Sequence, residues 1–243
     1  MLVINADDWG RTPRETDIML ECHAKRAITS VSAMVFMEDS ERAAVIAKRE
    51  GVDAGLHINF TEAFTAKNTP DWLRQSQVRL ARFLKRSKYA LLLYHPFLRN
   101  DFRRVFEAQE KEYLRLYGAP PSHMDGHQHM HLCSNMLVDR IIPAGTKVRR
   151  SFSSLEGERG AFNRGYRRMV DRALSRAYRL TDYFFDIGQC LEGERLKRVL
   201  EIAKQFKVEL MTHPYREREH AFLLSDDYSA RLGMVKTASY ASV

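Results

Sequence analysis

Short apolar runs rich in Val, Ile and Phe recur along this chain, each followed by a stretch of helical period, and no other feature constrains the fold as strongly. A chain that alternates strand and helix lays its strands side by side in a parallel sheet, because each helix carries the chain back across the sheet face. Strands are expected near residues 2–5, 31–36, 54–59, 123–127, 147–152, 183–187 and 208–212. The first helix has clear start signals: Thr12 at the N-cap, Pro13 at the first helical position and Glu15 completing a T-x-x-E capping box. Further helices are expected at 40–50, stopping at Gly51, and at 101–117, stopping at Gly118, with others near 162–179 and 194–206. Pro120-Pro121 forces an extended approach to the following strand. About seven βα units result. No internal repeat, low-complexity tract or linker interrupts them, so residues 1–243 read as a single domain.

Composition narrows the class. With 44% hydrophobic and 29% charged residues, and no apolar run near the roughly 18 residues that span a bilayer, neither a membrane span nor a disordered chain is expected. The 39 basic and 31 acidic residues leave a net charge of +8, which favours anionic partners without choosing among them. Cys22, Cys133 and Cys190 are odd in number and widely spaced, so neither a disulfide framework nor a thiolate zinc site is indicated. The N-terminus has no basic stretch followed by a long apolar one, and a cytoplasmic location is expected. The chain has no G-x-x-x-x-G-K-[ST] loop, no G-x-G-x-x-G after a strand and no G-x-S-x-G elbow. No nucleic-acid partner is expected.

One segment stands apart. Near residues 72–104, Arg74, Arg79, Arg82, Lys85, Arg86, Lys88, Arg99, Arg103 and Arg104 mix with Phe83, Leu84, Leu91, Leu92, Leu93, Tyr94 and Phe97. It reads as a basic helical insertion of one or two helices. Such a run is a solvated face over an ordinary core helix, or a contact with an anionic membrane surface or a lipid-linked substrate. Its aromatics would serve a dimer as readily as a ligand.

Four short motifs carry the chemistry. His123-Met-Asp-Gly-His-Gln-His-Met-His131 places four histidines and an aspartate in nine residues. If that segment is extended, His123, Asp125, His127, His129 and His131 share one face, where imidazoles and a carboxylate could converge on a divalent metal. Asn5-Ala-Asp-Asp-Trp-Gly10 ends the first strand with adjacent carboxylates, and a turn at Gly10 would let Asp7 and Asp8 reach one site. In isolation that pattern also fits simple turn chemistry. His57, in Gly55-Leu-His-Ile-Asn-Phe-Thr61, and His213, ahead of Pro214, would each be unremarkable alone. All four motifs, however, fall at the C-terminal end of a different expected strand, which in a βα barrel is the active-site face. Two histidines and a carboxylate leave positions open for water and substrate, the pattern of a hydrolytic metal centre rather than a closed structural one. His23, His95 and His220 have no such company.

At these motifs the sequence resembles the YdjC-like carbohydrate deacetylases, the family of chitooligosaccharide deacetylase and of hopanoid-associated deacetylase-like proteins. The matching positions run from residue 5 to residue 214. The resemblance implies a distorted (β/α) barrel, polysaccharide-deacetylase-like, that removes acetyl from N-acetylated sugars with the help of one divalent ion, Zn2+ or Mg2+. It implies Asp8, His57 and His127 as metal ligands, Asp7 as catalytic base and His213 as the acid that protonates the leaving amine. Asp125, His129 and Tyr215, which flank these positions, are candidates for substrate contact. Trp9 stands where the family usually has Phe, and Tyr215 follows His-Pro where Gly is common. A family arginine could fall on Arg149 or Arg150, and spacing does not choose between them. The implied substrate is an N-acetylated saccharide or a lipid-linked sugar, with peripheral membrane contact as an option. Two alternatives stay open: hydrolysis of a different amide or an ester, and a non-catalytic barrel that binds anionic surfaces.

Overall fold

The structure, a computed structural model, describes residues 1–87, 89–155, 158 and 161–243, with 161–164 described in the backbone alone. Strands β1 (Leu2–Trp9), β2 (Ser30–Ala33), β3 (Ala54–Ile58), β4 (Met124–Gly126), β5 (Tyr183–Asp186) and β6 (Val208–Thr212) form one sheet in the order β4-β3-β2-β1-β6-β5. Every pairing is parallel. Helices α1 (Pro13–Ala24) and α2 (Ser40–Glu50) make the first two crossovers, while α3 (Asp71–Lys85) and α4 (Arg99–Tyr117) both lie between β3 and β4. Then come α5 (Ser134–Val138), α6 (Ala161–Ser175) and α7 (Arg195–Gln205), with α8 (Glu217–Leu223) and α9 (Asp226–Leu232) after β6.

The sheet curls into a half-barrel, and the expected strand at 147–152 is not a strand but an irregular stave across the remaining gap. On one side the amide of Met124 donates to Lys147 and that of Arg149 to Met124; on the other, Ser153 donates to Phe184 of β5. Only single-residue bridges form, at Val148 and Lys147. The reason is local. The Ser151 amide, which a ladder would use, donates instead to the Asp171 carboxylate on α6, and the Arg150 guanidinium takes the carbonyls of Thr181 and Asp182. Winding therefore runs in one direction through six strands and one stave, a distorted barrel with six rather than seven regular strands among the described residues. The C-terminal segment returns to β1, where the Leu2 amide donates to Lys236 and the Ala238 amide to Leu2, and brings Tyr240 into the interior.

Local chemistry matches most element ends. Thr12 Oγ1 accepts from the Glu15 amide at 3.3 Å, but the capping box is only half made because the Glu15 carboxylate turns to Arg11. Gly51 and Gly118 end their helices at φ 67° and 74°, in the left-handed region. Helix α3 buries Leu73, Leu80, Phe83 and Leu84 and packs on α4, so the 72–104 segment is part of the β3–β4 connection. Many of its charges are engaged: Arg79 with Asp101, Arg99 with Asp139, Arg104 over the Trp72 ring and Arg74 with the Phe64 carbonyl. Lys88 lies outside the described residues. No described helix is long and apolar enough to cross a membrane.

Candidate active site

Regular pleating would send Asp7 and Asp8 to opposite faces of β1. Asp8 instead adopts φ 74°, and the register of β1 on β2 shifts between Ala6 and Trp9. This bulge, within the strand rather than at Gly10, brings both carboxylates onto the wall of one cavity of about 490 Å³. A left-handed aspartate costs about 1 kcal/mol. Arg11, His57, Glu62, His127, His129, Asp186, His213 and Tyr215 share that wall.

Asp8, His57 and His127 offer donor atoms that all lie within 4.8 Å of one another. Asp8 Oδ1 is 3.3 Å from His57 Nε2 and 3.0 Å from His127 Nδ1, while its Oδ2 accepts from the Tyr215 hydroxyl at 2.8 Å and from Arg11 at 2.9 Å. His57 Nδ1 sits 2.7 Å from Asp125 Oδ1, which orients the ring and aims Nε2 toward Asp8. His57 Nε2 is buried and has no hydrogen-bond partner. A buried nitrogen without a hydrogen-bond partner, beside a carboxylate and a second imidazole, is what a divalent cation would satisfy on displacing its proton, so the residues present fit one. Burial alone would lower His57, but the carboxylates of Asp125, Asp7 and Asp8 overcome it and hold the imidazole up to about 10. Burial likewise opposes ionisation of Asp8, yet the hydrogen bond from His127 and the charge of the neighbouring His57 keep it well below the usual carboxylate range.

Behind the cavity lies a charge network that spacing did not reveal. Arg149 is fully buried and meets Asp7 with two bonds of 2.7 Å, one to each carboxylate oxygen. Its remaining reach goes to Asp125 at 2.7 Å and Glu209 at 2.7 Å, with the guanidinium 4.9 Å from the centre of the Phe184 ring. Burial pushes Glu209 up to about 7, and Arg149 and a bond from the Tyr240 hydroxyl work against that rise. Arg150 points away, to Asp171. The arginine beside the candidate base is therefore Arg149.

His213 faces Asp7 and Asp8 across the cavity. Its backbone amide donates to Glu219 at 2.6 Å, its Nδ1 is buried without a partner, and burial lowers its pKa while Asp7 and Asp8 draw it back up. Tyr215 reaches Asp8 itself, and His129 also lines the cavity. Asp125 does not. It is fully buried behind His57, held by Ser32 at 2.8 Å and by Arg149, so its geometry supports an imidazole instead of touching a substrate.

The expected convergence of the histidine run fails for the same structural reason that β4 is short. Extended backbone ends at Gly126, and Gln128 and His129 both turn left-handed, at φ 54° and 59°, so alternation is lost after His127. Only His127 joins the ligand group. His123 stacks on Tyr240 and presses on Gly55, where an added Cβ would lie 2.3 Å from the ring. His131 Nε2 donates to the Arg149 carbonyl at 3.0 Å. Burial pushes both imidazoles down to about 4, which keeps them neutral.

Glu62, Asp186 and Arg11 are among the wall residues that escaped the sequence reading. Glu62 stands 2.9 Å from His127 Nε2, one position past the Gly55–Thr61 motif. Asp186 ends β5, where the rule that found the other strand-end residues would have found it. Arg11 was hidden in the turn before α1, and only its bond to Asp8 gives it away.

A parallel βα barrel with a carboxylate–imidazole cluster at the C-terminal ends of its strands defines a class of proteins built to hold a small ligand or cation at that face. Within that class, this chain belongs to the YdjC-like protein family, whose model matches residues 1–233. It is 27% identical to the carbohydrate deacetylase of Mus musculus, over 88% of this chain and 77% of that protein. It is 28% identical to the carbohydrate deacetylase of Homo sapiens, over 88% and 74%. A chitooligosaccharide deacetylase of Proteus mirabilis is 29% identical, over 54% of this chain and 50% of that enzyme. The fold is similar to the crystal structure of a protein described as a cellobiose-phosphate cleavage protein from Enterococcus faecalis V583, with a TM-score of 0.70 at 19% identity. That likeness covers 99% of this chain and 97% of the other, and it shows the fold alone.

Proposed function

We propose that the protein is a hydrolase that removes the acetyl group from an N-acetylated saccharide, using a divalent cation held by Asp8, His57 and His127. Kinship with carbohydrate and chitooligosaccharide deacetylases supports the reaction class. One observation carries the assignment: the orphaned His57 Nε2 and its two neighbouring ligand atoms open onto the same cavity as Asp7 and His213.

A bound Zn2+ or Mg2+ would polarise the amide carbonyl and acidify a water. Asp7 takes the proton of the attacking water. An ionised carboxylate has about four acceptor positions; Arg149 uses two on Asp7 and Asn5 a third, at 3.0 Å, so one remains for that proton. His213 protonates the departing nitrogen, without which an amine leaves poorly. Arg11 and Tyr215 tie down the outer oxygen of Asp8 so that the inner one faces the imidazoles. Glu62 orients His127.

The whole chain is read as one catalytic domain. A cytoplasmic setting agrees with its three free, buried cysteines. The test is acetate release from a panel of N-acetylated sugars by the cation-loaded protein, with Asp7→Asn as control. Release that needs both the cation and Asp7 is the expected result; release by Asp7→Asn at the wild-type rate would overturn the assignment.

A further inference from the structure

Beside the catalytic cavity lies a second one, of about 260 Å³, and the two share Gln128, His129 and Phe152. Their chemistry differs sharply. The first is walled by Asp7, Asp8, Glu62 and Asp186 and suits a hydroxylated, hydrogen-bonding ring. The second has Arg150, Ser151 and Arg167 on its wall, but Leu91, Met130, Leu132, Phe152 and Val170 give it a continuous apolar side that packs well against a hydrocarbon.

The division between them is built into the backbone. Gln128 and His129 are left-handed in succession, and this kink swings the His129 ring edge-on to Phe152, with centroids 4.6 Å apart, where both cavities meet. Phe152 stacks on Phe184 at 4.6 Å, so its position is fixed from behind. At the outer end, Leu91 belongs to the short turn Ala90–Leu92, and the residues after it stay apolar as they emerge: Leu92 is 44% exposed, Leu93 47% and Phe97 88%. Leu91 thus joins the cavity to a run of exposed apolar side chains that follows it in the chain.

We propose that this second cavity is a subsite for an alkyl or aryl group attached to the saccharide, so that the substrate is an amphiphile whose sugar ring occupies the polar cavity and whose aglycone lies on Leu91, Leu132 and Val170. The proposal deepens the deacetylase reading and rests on it. No covalent step is added. Transfer of apolar surface from water into the cavity raises the efficiency of turnover, because the chain is buried both before and during reaction.

The test uses the cation-loaded protein and N-acetylglucosaminides with methyl, butyl and octyl aglycones, each kept below its micelle-forming concentration. Each buried methylene is worth about fourfold, so kcat/KM for acetate release should climb by tens-fold from methyl to butyl and then level off once the cavity is full. Leu91→Asp and Val170→Asp should flatten that climb and leave the methyl glycoside turned over at the wild-type rate, which also reports that the variants fold. Leu91→Met should keep it. Equal kcat/KM across the series in the wild type would overturn the subsite. If no glycoside releases acetate, the deacetylase reading has failed instead, and calorimetric binding of the same glycosides decides the subsite. Octyl bound more tightly than methyl, with the difference lost in Leu91→Asp, supports it; equal binding overturns it.

Discussion

Arg149 grips Asp7 as a planar fork, with both terminal nitrogens 2.7 Å from separate carboxylate oxygens and no part of the arginine exposed. Lysine cannot reproduce this geometry, because its ammonium is a point donor on a flexible stem. Arg149→Lys is expected to fold and to lose about 100-fold in kcat with little change in KM, the cost of a misplaced reacting group. Arg149→Met leaves Asp7, Asp125 and Glu209 facing one another without a counter-ion, and should lose about 3–5 kcal/mol of stability. Steady-state acetate release by Arg149→Lys checks the first statement and calorimetric melting of Arg149→Met the second; an unchanged melting temperature for Arg149→Met would mean that the carboxylates have another partner.

Asp7 and Asp8 are adjacent in sequence and should separate cleanly in function. Asp7→Asn should keep cation affinity near that of the wild type while turnover falls by about 100- to 10,000-fold. His127→Ala should lose both, since it removes a ligand atom. Titration with Zn2+ alongside acetate release tells the two apart, and loss of cation binding in Asp7→Asn would place that carboxylate among the ligands.

The high pKa of His57 gives cation binding a definite pH dependence. In the metal-free protein the imidazole, held up to about 10, carries a proton throughout the neutral range. A cation needs the bare Nε2, so binding should release that proton and strengthen about tenfold per pH unit as pH rises toward 10. Stability of the metal-free protein runs the other way. Because the folded pKa is above the usual histidine value, this contribution is complete below about pH 6.5 and is lost as pH climbs through 10. Calorimetry in buffers of different ionisation enthalpy measures the released proton directly; no proton release at pH 7 would show that His57 is already neutral.

Glu62 meets the cluster at His127, 2.9 Å away, and lies 3.7 Å from Arg11, which bonds Asp8. Partners of this kind typically change cation affinity by about 10- to 100-fold when removed. Glu62→Gln should fall in that range and leave melting of the metal-free protein almost unaltered, because Glu62 is partly exposed. Zn2+ affinity equal to that of the wild type would remove Glu62 from the site.

Much of this architecture was readable from the residues, and the exceptions have physical causes. β6 was bounded by its apolar pattern alone, and α1 and α2 by caps whose chemistry is local, so neighbours in sequence were enough. Asp8, His57 and His127 were legible because strand ends in a barrel converge whatever loops join them. Arg149 was not, since its importance lies in carboxylates 142, 60 and 24 positions away at Asp7, Glu209 and Asp125, and an arginine in a strand-like run looks the same with or without them. The histidine run misled for a related reason: period-two alternation holds only while the backbone stays extended, and two left-handed residues after His127 end it. Helices α8 and α9 were missed because each spans only seven residues. That is too short for a period to show.

The irregular stave has a bearing on how the molecule ages and fails. It is the seam of the barrel, stitched to β4 and β5 by isolated bonds rather than a ladder, yet it carries the guanidinium that neutralises the interior. Poorly laddered segments open first. A molecule breathing at this seam would keep its helices and most of its sheet, and so its spectroscopic signature, while Asp7 drifted out of register. Working lifetime would then be set by the loosest stitch in the barrel and not by the strength of its cloth.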